Sequence, residues 1–408
     1  MPQTDLPEVG NPLQTTSQLE PQPTNPTQQW HPPEHAPELA SAPLSKHATH
    51  LYAVSYLIFF SLLGTLARLG LQALTFYTGA PVVTGVLWAN VGGSLVMGFL
   101  TEDKNLFLEE WGEKPVQHDK DAPQDVQAVE ASVKRHKAVK KTIPLYIGLT
   151  TGFCGCFTSF SSFIRDVFLA LANALPDPSL PAGSAIASRN GGYSFMALVA
   201  VVLLTVSLSI SALIFGAHVA LALTRFTPTV PFKFTRRVLD RVFVVLAWGC
   251  WLGAVFLAIW PPDRHDGPDA WRGRAVFALV FAPLGCLLRF YVSLYLNSRI
   301  PTFPLGTFTV NIFGTVIEGI CYDLQHVNGL GAMVPAALTG CQVLQGVMDG
   351  FCGSTTTVST WVSELDGLSR RRFSYLYGFT SVAVALGFLV VIMGSLLWTR
   401  GFDDPVCG

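Results

Sequence analysis

The sequence predicts an all-α polytopic membrane protein of about nine transmembrane helices, arranged as two inverted four-helix repeats joined by a linker helix. Three observations carry this: a six-position motif recurring at one offset, a composition half apolar and only 13% charged, and a series of apolar stretches of membrane-spanning length. Gly64-x3-Arg68 and Gly85-x4-Asn90-x3-Ser94-x3-Gly98 return 221 residues later as Gly285-x3-Arg289 and Gly306-x4-Asn311-x3-Thr315-x3-Gly319. Self-similarity at a fixed offset marks a duplication and is read before any single element. A further pair, Gly152-Phe-Cys-Gly155-x2-Thr158 and Gly350-Phe-Cys-Gly353-x2-Thr356, is offset by 198, because the first copy carries about 23 more residues in a charged loop (221 less 198).

Soluble domains average about a quarter charged residues, and a helix needs ~20 mostly apolar residues to cross a bilayer. Residues 1–46 are rich in Pro, Gln and Thr without apolar periodicity, so they are expected to form a disordered tail. No cleavable signal is read, since the first apolar run starts at Leu51 and is long enough to be a span. The first repeat, 51–224, holds spans at 51–76, 83–101, 144–171 and 193–224, with the charged loop 102–141. In that loop Lys134, Arg135, Lys137, Lys140 and Lys141 read as a surface basic cluster rather than a lipid-headgroup site. The linker 225–273 contains a fifth span, 239–260. The second repeat, 274–399, holds spans at 274–297, 303–324, 333–364 and 375–399, and 400–408 is a short tail.

The single odd helix turns the second repeat over relative to the first. Inverted repeats place binding or permeation sites near the midplane, at the repeat interface. Lys and Arg accumulate in cytoplasmic loops. With the amino terminus inside, eighteen of the 26 basic residues fall on the inner side and six outside: Arg165, Arg189, Arg264, Arg272, Arg274 and Arg400. The expectation is a cytoplasmic amino terminus and an extracellular carboxyl terminus. The eight cysteines fall mostly in spans and show no disulfide framework; Cys154-x-Cys156 reads as small apolar packing rather than a metal pair.

Arg68 and Arg289 are the remaining two basic residues, and both lie within spans at matching places. An ionisable group there is a functional candidate by default, although an Arg near a helix end can also snorkel to the interface. Asn90 and Asn311 sit mid-span beside Ser94/Gly98 and Thr315/Gly319, at a spacing that lets helices approach closely; an amide there can join helices or donate to an anion. The third element, Gly152 to Phe163, places glycines, thiols and hydroxyls in the middle of a span, and its counterpart runs from Gly350 to Trp361. Such a run predicts a broken helix, tolerated at membrane depth only where it is buried in protein or lines a polar cavity. Freed carbonyls suit a cation; helix packing by small residues is the plainer reading.

The Gly-x3-Arg, mid-span Asn and Gly-Phe-Cys-Gly-x2-Thr-Ser-Phe-Ser-x-Phe series resembles the Fluc (CrcB-type) fluoride channels, and the two-repeat form with an odd span resembles their eukaryotic fluoride exporters. The resemblance covers about 51–224 and 274–399. It implies a passive fluoride-selective pore at the repeat interface, lined by Asn90, Asn311, Phe160 and Phe163, with Ser161, Ser359, Thr360 and Trp361 from the broken spans. A small, strongly hydrated anion needs substitute donors such as amides, hydroxyls and the positive edges of aromatic rings. The resemblance also implies a central structural Na⁺ on the carbonyls of Gly155, Thr158, Gly353 and Thr356. Arg68 and Arg289 take structural or vestibule roles.

The second repeat departs from the pattern, with Val358 in the place of Phe160 and Trp361 in that of Phe163. Thr205, Ser207, Ser209 and Ser211 stud the fourth span of the first copy, 205/209 and 207/211 sharing faces, whereas its counterpart has only Thr380 and Ser381 near its start. One conducting pathway and one vestigial pathway are therefore expected. Export needs no fuel, since one charge crossing ~100 mV is worth ~2.3 kcal/mol. Neither a Gly-x4-Gly-Lys-[Ser/Thr] loop nor a metalloenzyme spacing is present, so an enzyme is not expected. The alternative is a proton-coupled fluoride or small-anion antiporter, for which Glu318 and Asp349 are the intramembrane acids, both read as solvated near span ends. Localisation in the plasma membrane and a monomeric state complete the expectation, the fused repeats supplying what smaller relatives gain by dimerising.

Overall fold

The computed structural model describes residues 46–82, 84–108, 138–180, 187–261, 272–327, 335–405 and 407, and every regular element among them is helical. The amino-terminal tail and the basic positions Lys134, Arg135 and Lys137 lie outside the described residues. In chain order the elements are α1 (Lys46–Thr75), α2 (Leu87–Glu102), α3 (residues 144–157), α4 (Phe160–Ala172) and α5 (Gly191–Ala222). They are followed by α6 (Phe232–Ile259), α7 (Phe277–Leu296), α8 (Leu305–His326), α9 (residues 335–355), α10 (Ser359–Gly367) and α11 (Arg371–Thr399).

Seven helical stretches are long and apolar enough to cross a membrane: α1, Pro144–Ala172, α5, α6, α7, α8 and α11. Two of the predicted spans fall short by that measure. The stretch 83–101 yields α2, whose 16 residues rise about 24 Å at 1.5 Å each, less than the ~30 Å hydrocarbon core. The stretch 333–364 is divided into α9 and α10 by an extended backbone at Thr356 (φ −93°, ψ 157°).

Small residues set the spacing of the helices. A Cβ on Gly98 of α2 would run into the backbone carbonyl of Leu213 in α5, and one on Gly216 into that of Leu95. The two helices therefore meet backbone to backbone, the close approach that small residues permit. Across the halves the short helices exchange places: α10 packs on α2 and α5, and α4 packs on α8 and α11. One apolar core results, with Phe160, Phe163 and Phe168 of α4, Trp361 of α10 and Tyr377 and Leu389 of α11 in a single cluster. The linker helix α6 lies on α1 and α7, where Tyr56 donates a 2.9 Å hydrogen bond to Asp240.

Two expectations change here. Lys140 is not part of a surface cluster: it is 1% exposed, and its ammonium donates to the carbonyls of Leu100 (2.7 Å) and Asp103 (2.5 Å). A cation at a helix carboxyl end satisfies the last carbonyls and the helix dipole, so this loop lysine closes α2. A disulfide also joins Cys341 of α9 to Cys407 beyond α11. The tail is fixed besides by Phe402, whose ring lies 5.3 Å from that of Tyr322, and by the Asp403 N–H, which donates to the His326 carbonyl at 3.0 Å.

Candidate functional site

The two helix breaks meet at the centre of the protein. The glycine-rich segments before them wind as wide π turns, Gly148–Cys154 and Val347–Cys352, a geometry frequent at functional sites. The chain then extends through Thr158 and Ser159 in one half and Thr356 and Thr357 in the other. Each threonine serves the opposite half. The Thr158 hydroxyl accepts from Val358 N–H (3.2 Å) and Ser359 N–H (3.1 Å) at the start of α10, and the Thr356 hydroxyl accepts from Phe160 N–H (3.2 Å) and Ser161 N–H (3.1 Å) at the start of α4. Ser359 lies 3.1 Å from Thr158, and Ser161 3.0 Å from Thr356, hydroxyl to hydroxyl.

Asn90 and Asn311 hold these breaks open. The Asn90 amide accepts from Ser159 N–H at 2.9 Å and donates to the Ser159 carbonyl at 3.3 Å; Asn311 treats Thr357 identically, at 2.9 and 3.3 Å. An amide NH₂ carries two protons, so each asparagine has a second donor beyond this clamp. The clamp also fixes the chemistry of the backbone. Ser159 N–H would otherwise close a helical turn onto the Gly155 carbonyl, and Ser162 N–H, which goes to Ser159 Oγ at 3.2 Å, would close one onto Thr158. In the second half Thr357 N–H is taken from Gly353, and Thr360 N–H goes to Thr357 Oγ1 at 3.4 Å instead of to Thr356. The four carbonyls implied as a cation site are thus among those whose helical donors have been diverted, and buried oxygens of that kind fit a hard cation.

Arg68 and Arg289 do not snorkel; they are 0% and 2% exposed and cross between halves. Arg289 donates through Nε to Ser354 O (2.9 Å) and through Nη2 to Thr151 O (2.8 Å), and Arg68 donates to the carbonyl of Asp349. Their guanidiniums lie on Gly155 and Gly353 respectively, where any Cβ would overlap them. The pair is not equivalent in detail, because Nε and Nη1 of Arg68 have no partner among the described residues.

Two routes flank this centre. The first is bounded by α2, α5 and α10. Thr205 and Ser209 turn inward from α5, at 1% and 0% exposure, while Ser207 and Ser211 face outward. The hydroxyls of Ser94 and Ser209 are buried without partners among the described residues. A cavity of about 800 Å³ enters this side past Thr101, Lys141 and Glu364 and ends on Thr357, Thr360 and Arg289. The second route, bounded by α4, α8 and α11, contains an ion pair: Arg165 Nη1 stands 2.9 Å from Glu318 Oε1, with Asp166 at 3.8 Å from the same guanidinium. This corrects the sequence reading twice, since Arg165 is no outer loop charge and Glu318, at 0% exposure, is not solvated. Asp349 is buried as well, accepting from Gln345 at 2.7 Å. Phe160 stands between Phe163 and Trp361, edge to face at 5.8 and 5.3 Å, so the predicted aromatic residues form one cluster.

Sequence reasoning missed Glu364. Its carboxylate accepts from Asn297 (3.1 Å), Thr307 (2.6 Å) and Tyr377 (2.8 Å) and borders the cavity. The 198-residue offset would have found it, because that register aligns Glu364 with Asp166 and Ser363 with Arg165.

Interlocked helical halves with paired breaks and diverted carbonyls at their centre define a polytopic membrane protein built to handle small ions. The chain belongs to the CrcB-like family (CrcB-like protein, Camphor Resistance), which matches residues 55–217 and 276–395, one segment in each half. It is 56% identical over 377 residues to fluoride export protein 1 of Neurospora crassa, covering 89% of this chain and 70% of that one. It is 35% identical over 343 residues to fluoride export protein 1 of Candida albicans, covering 83% and 78%. The fluoride-specific ion channel FluC of Acinetobacter baylyi matches 118 residues at 37% identity, 29% of this chain and 81% of that one. No solved structure matches the chain.

Proposed function

We propose that this protein is a fluoride-selective export channel of the plasma membrane, moving F⁻ passively down the membrane potential. The single observation that carries the mechanism is the cavity lined by α2, α3, α5, α7 and α10 that reaches Thr357 and Thr360. It leads a hydrated anion toward donors able to replace its water: the Thr357 and Thr360 hydroxyls that line it and, beyond it, the Ser94, Thr205 and Ser209 hydroxyls, the spare Asn311 proton and the edges of Phe160 and Phe163. The relatives named as fluoride exporters and channels supply the choice of anion. We assign conduction to this route. A half-buried Arg165 ion-paired to the buried Glu318 stands in the other, which accords with one live and one vestigial pathway.

The architecture proposed with it is nine crossings, with α2 and the α9–α10 unit completing the seven long spans and the second repeat inverted. The amino terminus lies in the cytoplasm. A disulfide at the carboxyl-terminal end supports an extracellular location for that tail, since such bonds persist in oxidising compartments. One Na⁺, held by the carbonyls of Gly155, Thr158, Gly353 and Thr356, would fix the two breaks to each other. The neighbouring guanidiniums favour a monovalent occupant. A monomer suffices.

The second reading is a proton-coupled antiporter, and Glu364 is the observation in its favour, a carboxylate bordering the vestibule. Fluoride efflux from liposomes under a K⁺/valinomycin potential, with chloride as control, separates the two. Voltage-driven release of F⁻ alone supports the channel; release only under an imposed pH gradient supports the antiporter. Because Asn311 grips Thr357 on the vestibule wall, Asn311→Asp is expected to lower flux more than Asn90→Asp, and equal losses would count against the asymmetry.

A further inference from the structure

Helix α10 has two faces. Thr360, Ser363 and Glu364 look into the vestibule, while Trp361 and Leu365 form the floor of a second cavity, about 650 Å³, on the opposite side. Its walls are α5, through Leu198, Val202 and Val206, and α11, through Gly378, Phe379 and Val382. The α11 wall from Ser374 to Leu386, which starts beside Arg371, is about 18 Å long at 1.5 Å per residue, close to the hydrocarbon depth of one leaflet, half of ~30 Å.

The chemistry changes at one end. Arg371, Asp366 and Ser374 line the mouth, and Arg370 and Arg372 flank Arg371 in the chain, all three arginines exposed. Three guanidiniums stand there against one carboxylate, and the Arg371–Asp366 pair is long, at 3.8 Å, and open to solvent. Ser374 is 9% exposed, and its hydroxyl has no partner among the described residues; the same holds for Nε1 of Trp361, which is 1% exposed. An apolar cleft of acyl-chain length, cationic at one mouth and bordered by unpartnered donors, is complementary to a single class of molecule.

We infer that this cleft binds an anionic phospholipid of the cytoplasmic leaflet, its phosphate at Arg370 to Arg372 and Ser374 and one acyl chain against Trp361 and Leu365. The leaflet rests on the orientation proposed above; the binding does not rest on fluoride transport. An occupant presses on the back of α10, whose front carries Thr360 and Glu364, so lipid identity reaches the ion route through one short helix.

Native mass spectrometry of the delipidated full-length protein, titrated with phosphatidylserine or phosphatidylcholine, tests this. The expected result is one retained phosphatidylserine, bound about tenfold or more tightly than phosphatidylcholine and reduced by a similar factor in R370Q/R371Q/R372Q. The exposed positions Arg237 and Arg241 serve as the control, and R237Q/R241Q, which removes charge at the end of α6, is expected to retain the lipid. V206W, filling the cleft, is expected to lose it without any change of charge. Equal retention of the two lipids, or equal loss in R237Q/R241Q, overturns the proposal in favour of nonspecific attraction to a basic surface. Binding is read here without flux, so failure of this test is distinguishable from failure of the fluoride reading.

Discussion

Thr158 and Thr356 each cap a helix that belongs to the other half: the Thr158 hydroxyl accepts two N–H groups at the start of α10, and the Thr356 hydroxyl two at the start of α4. Neither half completes its own helix start. The duplicated threonine thus acts as a joint between halves.

T158V and T356V are each expected to orphan two buried donors. A lost cap costs about 1 kcal/mol and each unpaired buried donor about 1–3. Apparent unfolding midpoints in detergent should fall by several degrees for both variants, while T158S and T356S stay near the parent. A T158V midpoint equal to the parent would show that Val358 and Ser359 need no acceptor from the other half.

The Arg165–Glu318 pair gives an expectation of opposite form for single and double changes. Removing one partner of a buried pair costs about 3–5 kcal/mol, whereas apolar or neutral replacement of both is often tolerated. R165S leaves Glu318 buried and unpaired, so it should lower stability severely. R165S/E318M, which copies the residues of the first route at matching positions, Ser363 and Met97, should recover most of it. Thermal stability of the three proteins decides this.

Gly155 and Gly353 are expected to reject alanine, because Arg289 and Arg68 occupy the space a Cβ would take. Fluoride flux and monodispersity on gel filtration should both be lost. Gly85→Ala is the contrast: it belongs to the other repeated motif, and nothing lies within 4 Å of its Cβ position, so the variant should behave as the parent.

Glu364 receives three donors, and E364A is expected to strand Asn297, Thr307 and Tyr377 at about 1 kcal/mol or more each. E364Q keeps an acceptor for Thr307 and removes the negative charge from the vestibule wall. Its fluoride efflux at low ionic strength should exceed the parent's, with the gain shrinking as salt screens the field. Loss of proton-coupled flux in E364Q would instead support the antiporter.

Much of this protein was legible along the chain, and for a physical reason. Apolar length and a constant offset are properties of a linear string, so the membrane class, the duplication, the helix breaks after Gly155 and Gly353 and the shared face of Thr205 and Ser209 could be read directly, whereas the inward turn of that face came from the fold. The family motif named Asn90 and Asn311, yet their task of diverting the Ser159 and Thr357 N–H groups from the Gly155 and Gly353 carbonyls needed the fold. Contacts between halves left no trace in either half alone. Arg165 read as a loop charge because its partner Glu318 is 153 positions away (318 less 165), and Lys140 read as surface because the end of α2 that it closes lies across a long loop. Glu364 passed as one more acid near a span end until α7, α8 and α11 brought Asn297, Thr307 and Tyr377 to it. The sequence determined which solvent the chain lives in and where its helices break. Tertiary structure decided which buried charges find partners, because that depends on segments far apart in the chain that meet only once the helices pack, within a half for Lys140 and Glu364 and between halves for Arg165 and Glu318.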